Sequence, residues 1–262
     1  MLFQKKPTVV GHRGSGRGVR GGHAENTVAS CLAAASAGLR WIEVDVSRTA
    51  DDELVLRHDP VAPDGSYVLD RTAAELRKQD VARLSDLLAV LPPHVGLDID
   101  VKTVLPDATD PAARRTGALL AKALTPELAA VDRTLPRPVL VSSFDPGLLV
   151  QVRDMLPEAD LGLLTYLDFP LEAAVPAAAG LGMDVLCVHT GSFGPPGEAP
   201  YPPGAERPPF PSAWEAITAA HQAGLEVLVW CPDPACAVRY ADAGADALCV
   251  DDIRGTLAAL RG

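Results

Sequence analysis

The sequence predicts an α/β protein of the (β/α)8 TIM-barrel class, with a short antiparallel hairpin after the second strand. Eight short runs rich in Val, Ile and Leu recur along the chain, and each is followed by a helical pattern rich in Ala and Leu. Near-continuous apolar strands that alternate with helices are typical of a parallel sheet covered on both faces. Eight such units in 262 residues fit one barrel, so we expect a single domain over residues 1–262.

The apolar runs place the predicted strands at 8–13, 41–47, 96–102, 138–144, 161–166, 184–189, 226–230 and 247–251. Helical patterns follow at 26–37, 85–91, 111–124, 146–156, 171–180, 211–223, 234–243 and 253–260. Gly38 and Gly224 come just after a helical pattern, where glycine commonly ends a helix. Pro146, Pro211 and Pro234 occupy expected first-turn positions of helices.

Two segments interrupt this alternation. Residues 54–58 are strand-like but follow the second strand too closely for a crossover helix, so 41–58 is predicted to be an antiparallel hairpin turning at Asp51 and Asp52. Pairing centred on that turn brings His58 opposite Asp45. Residues 191–211 contain eight prolines and follow the sixth strand, so we interpret them as a stiffened surface loop or a wall of the binding cleft.

The composition excludes several classes of function. The chain carries 34 acidic side chains against 23 Lys and Arg and has 5% aromatic residues, so no nucleic-acid partner is expected. No stretch approaches the ~18 apolar residues of a membrane span, so no stable membrane insertion is expected. The five cysteines are scattered and match no common zinc motif, which favours reduced thiols and a cytoplasmic location. The sequence leaves the oligomeric state open.

Acidic residues lie at the predicted C-terminal ends of the second and third strands, where (β/α)8 enzymes have their active sites. Glu43 and Asp45 are two residues apart and share one strand face, as do Asp98, Asp100 and Lys102. Buried carboxylates on neighbouring strands are costly without a positive partner, and a divalent cation with oxygen ligands is the simplest such partner. Taken alone, Glu43 and Asp45 would instead be a solvated or salt-bridged pair.

Two histidines accompany these acids. His12 ends the first strand, next to Arg13, and His58 ends the hairpin. Either histidine alone would more often be structural, but a pair beside a carboxylate site is typical of a general acid and a general base. Arg13 and Lys102 suit a phosphate group, the first through its fork of donors and the second as a point charge. Trp230 ends the seventh strand and is a further candidate for substrate binding.

Short motifs containing these residues follow one another along the chain: Gly11-His12-Arg13-Gly14, Glu25-Asn26-Thr27, Glu43-Val44-Asp45-Val46, His58-Asp59, Asp100-Val101-Lys102, Ser142-Ser143-Phe144, Val229-Trp230, and Gly244-Ala245-Asp246 before Asp251. In this order they resemble the glycerophosphodiester phosphodiesterase family over nearly the whole sequence. The chain departs from the family at Asp100, where members have the longer Glu. The Gly-rich loop at 14–24 is also longer than in many members, and the segment 59–82 is shorter.

The resemblance implies a metal-dependent enzyme on a TIM barrel that hydrolyses glycerophosphodiesters to glycerol 3-phosphate and an alcohol. It implies Mg²⁺ or Ca²⁺ as the cofactor, with Mn²⁺ as a further candidate, and assigns roles by position. The metal ligands are Glu43, Asp45 and Asp100; the acid/base pair is His12 and His58; the phosphate contacts are Arg13 and Lys102; and the supporting polar residues are Glu25 and Asn26.

Details of the mechanism stay open at this point. We assign His12 as the base and His58 as the acid. The nucleophile is either the neighbouring hydroxyl of the glycerol, which gives a cyclic phosphate that water later opens, or water directly. Two other functions are alternatives: a lysophospholipase D-like phosphodiesterase acting on lipid substrates, and a catalytically silent barrel that binds a phosphate ester. The expected partner is a small-molecule phosphodiester substrate.

Overall fold

The structure is a computed structural model that describes residues 1–128, 137–167, 169–193 and 212–261. Its strands are β1 (Thr8–Gly11), β2 (Val19–Arg20), β3 (His23–Ala24), β4 (Trp41–Arg48), β5 (Leu54–Leu56), β6 (Gly96–Val101), β7 (Val139–Ser143), β8 (Asp160–Leu164), β9 (Val185–His189), β10 (Glu226–Trp230) and β11 (Ala247–Val250). Its helices are α1 (Val28–Ser36), α2 (Ala73–Arg77), α3 (Leu84–Val90), α4 (Thr116–Leu128), α5 (Pro146–Met155), α6 (Leu171–Gly180), α7 (Ala213–Gln222), α8 (Pro234–Asp242) and α9 (Ile253–Ala259).

All eight predicted strands are present, and each is followed by a helix, so the predicted (β/α)8 class is confirmed. Pro146 and Pro234 begin α5 and α8 as expected. Gly38 and Gly224 have φ angles of 94° and 83° just after their helices, which is the conformation that favours glycine there. Pro211, like most of the proline-rich segment 191–211, lies outside the described residues.

The chain forms two compact units, Gly11–Ala159 and Met1–Val10 with Asp160–Gly262. In the first unit β6 lies between β4 and β7, parallel to both, and β5 pairs antiparallel with β4 as the predicted hairpin. In the second unit β8, β9, β10 and β11 are parallel neighbours in that order. No helix in the described part of the chain is long and apolar enough to span a membrane.

The predicted register of the hairpin is wrong by one residue. Val46 pairs with Leu56, and the Arg57 N–H donates to the Asp45 carbonyl at 3.0 Å, so Arg57 rather than His58 lies opposite Asp45. The cause is a loop with an odd number of residues: the Thr49 N–H donates to the Glu53 carbonyl and encloses three residues. The last of these has a φ angle of 60°, which the apolar pattern does not reveal.

A buried arginine ties this hairpin to the loop that follows β6. Arg48 is 3% exposed, and its guanidinium contacts Asp52 at 2.7 Å, Asp107 at 3.1 Å and Asp110 at 2.7 Å. A buried guanidinium is stable only with such charge-assisted partners. The C-terminal ends of β4 and β6 are therefore held together by a local ion network.

The segment between the hairpin and α3 has a small core of its own. Helix α2 and a single 3₁₀ turn, Val68–Asp70, both lie in it, and neither was predicted. The buried apolar side chains of this core are Val55, Ala62, Val68, Ala73, Leu76 and Val81. This cluster fixes the chain directly after His58, so the segment is short but ordered.

Gly14 has a backbone conformation and a packing environment that exclude a side chain. Its φ angle is 93°, and its N–H donates to the Glu43 carbonyl at 3.1 Å, which holds the turn after β1 against β4. A Cβ atom at this position would lie 2.5 Å from Ser30 Oγ and 2.9 Å from the Ser30 backbone. Both observations require glycine.

We expect Gly14→Ala to lower the free energy of unfolding markedly more than Gly38→Ala. Both residues have positive φ, which costs Ala about 1–2 kcal/mol, but a Cβ at Gly38 meets no atom within 4 Å. The clash with Ser30 adds about 1–3 kcal/mol at Gly14 only. Urea denaturation of the two variants measures this difference, and equal losses would show that the contact with Ser30 is unimportant.

Candidate active site

Four carboxyl groups lie side by side on the neighbouring strands β4 and β6. In the parallel register Glu43 is aligned with Asp98, and Asp45 with Asp100. All four are buried, with 1–8% of each residue exposed. One carboxylate oxygen from each of Glu43, Asp45 and Asp100 lies within 4.8 Å of the others. The structure therefore brings together the three residues predicted as metal ligands.

Asp45 is the carboxylate that the protein itself neutralises. Lys102 Nζ lies 2.8 Å from Asp45 Oδ1, and Arg13 Nε lies 3.2 Å from Asp45 Oδ2. Burial alone would raise the pKa of Asp45, but the charges of Lys102 and Arg13 outweigh it and lower the pKa below its ordinary value. Asp45 is thus ionised at neutral pH, with one cation at each oxygen.

The carboxyl groups of Glu43, Asp98 and Asp100 have too little positive charge nearby to offset the effect of burial. Burial and the neighbouring Asp45 raise the pKa of Glu43 well above its ordinary value. Burial also raises the pKa of Asp98 to about 7 and that of Asp100 to about 6, the latter although Lys102 contacts Asp100. Asp100 Oδ1 is buried and has no hydrogen-bond partner among the described residues. An orphaned carboxylate oxygen within a cluster of carboxylates fits a hard divalent cation.

Glu25 and Asn26 support this cluster from the loop that follows β1. The Asn26 side chain donates to Asp45 Oδ2 at 2.7 Å and accepts from the Asp45 backbone N–H at 3.0 Å. Glu25 accepts a hydrogen bond from Arg13 NH1 at 2.8 Å. Arg13 and Asn26 both have positive φ, 51° and 53°, and the Asn26 N–H donates to the Arg13 carbonyl. These left-handed conformations turn the loop back, so that the side chains of Arg13 and Asn26 both reach the acidic cluster.

His12 lies at the end of β1 beside Glu43. It is 8% exposed, and its Nε2 is 3.9 Å from Glu43 Oε2. The backbone N–H of the next residue, Arg13, donates to the same oxygen at 2.7 Å. One Glu43 oxygen therefore faces both a histidine ring and a backbone donor.

His58 follows β5 and is more exposed than His12. Its Nδ1 is 2.7 Å from Asp59 Oδ1, and the hydrogen bond with His58 lowers the pKa of Asp59. An ionised carboxylate only accepts hydrogen bonds, so Nδ1 carries the proton and Nε2 is the nitrogen left for proton transfer. Although the register differs from the prediction, His58 is among the groups whose electrostatic effect lowers the pKa of Asp45.

Sequence reasoning missed the supporting contacts of three of these residues. Asp59 orients His58, and its position next to His58 in the sequence was the available signal. Ser142 Oγ donates to Asp98 at 2.7 Å. The Lys102 ammonium lies 5.7 Å from the centre of the Phe144 ring, and nothing in the sequence pattern indicated that contact.

Trp230 belongs to the other compact unit. It ends β10, where it is aligned with His189 of β9, and the two rings lie 4.3 Å apart at a tilt of 60°. The Gly191 N–H donates to His189 Nδ1 at 2.9 Å and fixes the orientation of that ring. The predicted role of Trp230 in substrate binding stays a prediction.

The repeating strands and helices, and a buried acidic cluster flanked by two histidines, define a (β/α)8 enzyme. Residues 12–254 match the model of the Glycerophosphoryl diester phosphodiesterase family, so the chain belongs to that family and to the phosphoric diester hydrolases. The resemblance noted in the sequence is thereby confirmed. No curated protein matches the chain closely enough to count as a relative.

Several solved structures share the fold. A phosphodiesterase from Oleispira antarctica, solved in complex with the product sn-glycerol-3-phosphate, is 22% identical with a TM-score of 0.76, and the match covers 100% of this chain and 99% of that one. A glycerophosphodiester phosphodiesterase from Parabacteroides distasonis is 19% identical, with a TM-score of 0.74 and coverage of 98% and 97%. One from Thermotoga maritima is 20% identical, with a TM-score of 0.66 and 97% coverage of both chains. These likenesses show the TIM-barrel fold.

The raised carboxyl pKa values predict how the stability of the metal-free protein depends on pH. Asp98 and Asp100 have pKa values of about 7 and about 6 when folded, against 3.8 ordinarily. Between these limits the folded protein retains protons that the unfolded chain has released, so the free energy of unfolding falls as pH rises from 4 to 7. Each group contributes at most about 1.4 kcal/mol per pH unit.

Asp98→Asn should flatten this decline, because its amide keeps the acceptor for Ser142 but cannot ionise. Urea denaturation in EDTA at pH 5, 6 and 7 measures the slope. Asp80→Asn, at an exposed position, is the matched control and should keep the wild-type slope. An unchanged slope in the Asp98→Asn variant would contradict the raised pKa of Asp98 as a cause of the decline.

Proposed function

We propose that this protein hydrolyses glycerophosphodiesters to glycerol 3-phosphate and an alcohol, with a divalent cation as cofactor. The observation that carries the proposal is the meeting of Glu43, Asp45 and Asp100 within 4.8 Å beside Arg13 and Lys102. Two cationic side chains that can bind an anion lie next to three carboxylates that can bind a cation, and this combination suits a phosphodiester substrate. Family membership and the glycerol 3-phosphate bound by the Oleispira antarctica structure support the same substrate class.

The cation would be held by Glu43, Asp45 and Asp100, whose oxygen donors suit Mg²⁺, Ca²⁺ or Mn²⁺. When bound, a divalent cation neutralises negative charge on the phosphoryl oxygens. The protein contributes a preformed site, since Asn26 fixes Asp45 through two hydrogen bonds and the Arg13 N–H fixes Glu43 through one. Preorganised ligands and donors are what makes such electrostatic stabilisation effective.

Arg13 and Lys102 bind the phosphate group in this proposal. Glu25 accepts from one guanidinium N–H of Arg13, which sets the plane of the donor fork. Lys102 is largely buried among Asp45, Asp100 and Phe144, so its position is restricted as well. Neighbouring carboxylates overcome the effect of burial and raise the pKa of Lys102, so the ammonium stays charged.

His12 and His58 exchange protons with the substrate. His12 is assigned as the base that takes the proton of the attacking hydroxyl. That hydroxyl belongs either to water, or to the glycerol, which gives a cyclic phosphate that water then opens to glycerol 3-phosphate. His58 is assigned as the acid, because Asp59 holds Nδ1 and leaves Nε2 to protonate the departing alkoxide. An alkoxide is a poor leaving group, so this proton transfer matters for the rate.

Several further features belong to the same proposal. Residues 1–262 act as one catalytic domain, Trp230 contributes to substrate binding, and the substrate is a small molecule rather than a nucleic acid. The protein works in the cytoplasm, which agrees with five cysteines that are not paired in disulfides. The family model spans most of this length, which supports a single functional domain.

Replacing either histidine by alanine should lower kcat by ~10²-fold or more, the usual contribution of general acid–base catalysis. Turnover of glycerophosphodiesters with each metal measures the effect, and thermal unfolding checks that the fold is retained. His94→Ala removes an exposed histidine outside the cluster and should leave kcat within twofold. Turnover within threefold of wild type in both His12→Ala and His58→Ala would dismiss the assignment.

Removal of divalent cations should abolish activity, and Mg²⁺, Ca²⁺ or Mn²⁺ should restore it. Asp100→Asn should raise the metal concentration needed for half-maximal activity at least about tenfold, because a neutral amide is a much weaker ligand. Exposed Asp80→Asn is the isosteric control and should leave that concentration unchanged. Full activity in excess EDTA after dialysis would refute the requirement for a metal.

A further inference from the structure

The loop between β1 and α1 carries a small basic hairpin that the proposed reaction does not use. Strands β2 and β3 pair antiparallel, Val19 with Ala24 and Arg20 with His23. Gly21 and Gly22 form the two-residue turn between them, with φ angles of 56° and 85°. Positive φ at both turn residues is the geometry that closes a tight hairpin. We call residues 17–24 the basic hairpin.

The basic hairpin is connected to the proposed phosphate-binding Arg13 through the Glu25 carboxylate. One oxygen of the Glu25 carboxylate accepts from Arg13 NH1 at 2.8 Å, and the other accepts from the Gly18 backbone N–H. The Glu25 N–H in turn donates to the Gly18 carbonyl at 2.7 Å. A single carboxylate thus separates the base of the hairpin from the Arg13 guanidinium.

The charge of this segment is opposite to that of the whole protein. Residues 17–24 contain two arginines, one histidine and no Asp or Glu, whereas the chain has a net charge of −11. Arg17 and Arg20 are exposed. Arg20 and His23 are opposite each other in the register, so their side chains share one face of the hairpin. A local positive patch on an acidic protein attracts anionic ligands selectively.

We propose that the basic hairpin binds a second anionic group, carried by the alcohol part of the phosphodiester substrate. This inference rests on the proposed function. Arg13 and the metal site already meet the single charge of the phosphodiester, so the additional arginines suit an additional negative charge. The preferred substrates are glycerophosphodiesters whose leaving alcohol bears a phosphomonoester or a carboxylate, and alcohols bearing an ammonium group are disfavoured.

Three substrates with the same glycerophosphate part test this preference: glycerophosphoglycerol, its derivative with a terminal phosphate on the leaving glycerol, and glycerophosphocholine. For the wild-type enzyme with its metal at low salt, we expect kcat/KM for the phosphorylated substrate to exceed that for glycerophosphoglycerol about fivefold, the effect of two exposed ion pairs. Arg17→Gln with Arg20→Gln should bring the ratio near one by raising KM. High salt should reduce the wild-type ratio as well.

Two control variants distinguish an effect of the basic hairpin from a general effect of positive charge on substrate preference. Arg17→Lys with Arg20→Lys keeps the charges and should keep most of the preference. Arg77→Gln with Lys78→Gln removes two exposed positive charges, from the last residue of α2 and from the residue after it, and should leave the ratio unchanged. A wild-type ratio of one or less, or an equal loss for all substrates in the double glutamine variant, would overturn the proposal.

The test also separates this proposal from the proposed function. Turnover of glycerophosphoglycerol without preference for its phosphorylated derivative overturns the role of the hairpin and leaves the function standing. If no glycerophosphodiester is turned over with any metal, the proposed function fails. Calorimetric Kd values for the same substrates then decide the role of the hairpin, since the same ratio is expected in binding.

Discussion

The structure depends on how four carboxyl groups are kept in the buried centre of two adjacent strands. Glu43 and Asp45 on β4 are aligned with Asp98 and Asp100 on β6, and none of the four is more than 8% exposed. Burying an uncompensated charge costs several kcal/mol, a large share of the stability of any protein. The protein supplies two cations, Arg13 and Lys102; both contact Asp45, and Lys102 also contacts Asp100. The remaining carboxyl groups have raised pKa values, and this imbalance is the physical argument for a bound cation.

Several surrounding residues hold the four carboxyl groups and their strands in place. Asn26 satisfies both the side chain and the backbone of Asp45, and Ser142 donates to Asp98. Arg48 joins the loops after β4 and β6 through three carboxylates, so the ends of the strands that carry the acids cannot separate easily. Gly14 allows the turn after β1 to pack on Ser30, which keeps His12 and Arg13 beside Glu43.

The sequence was sufficient to predict the eight strands, because burial on both faces makes each one a near-continuous apolar run. It also predicted the meeting of Glu43, Asp45 and Asp100, since same-face positions on adjacent parallel strands must be neighbours. The hairpin register was wrong because a left-handed Asp52 closes a three-residue loop, which no apolar pattern encodes. Helix α2 was missed because its five residues are too few to show a helical period. The contacts of Lys102 with Phe144 and of Glu25 with Gly18 depend on loop geometry and had no signal in the sequence.

Glu25 and Asn26 are two consecutive residues that connect the basic hairpin and Arg13 to the acidic cluster. The Asn26 side chain holds Asp45, whereas the Glu25 carboxylate divides its oxygens between Arg13 and the basic hairpin. The side chains of Glu25 and Asn26 reach different partners because Asn26 has a left-handed backbone conformation. Asn tolerates this conformation better than most residues. A displacement of the basic hairpin would therefore change the position of the Arg13 guanidinium and, through the Asn26 amide, that of Asp45. Under the proposed function, this short stretch of chain would couple the binding of an anionic group at the basic hairpin to the position of Arg13.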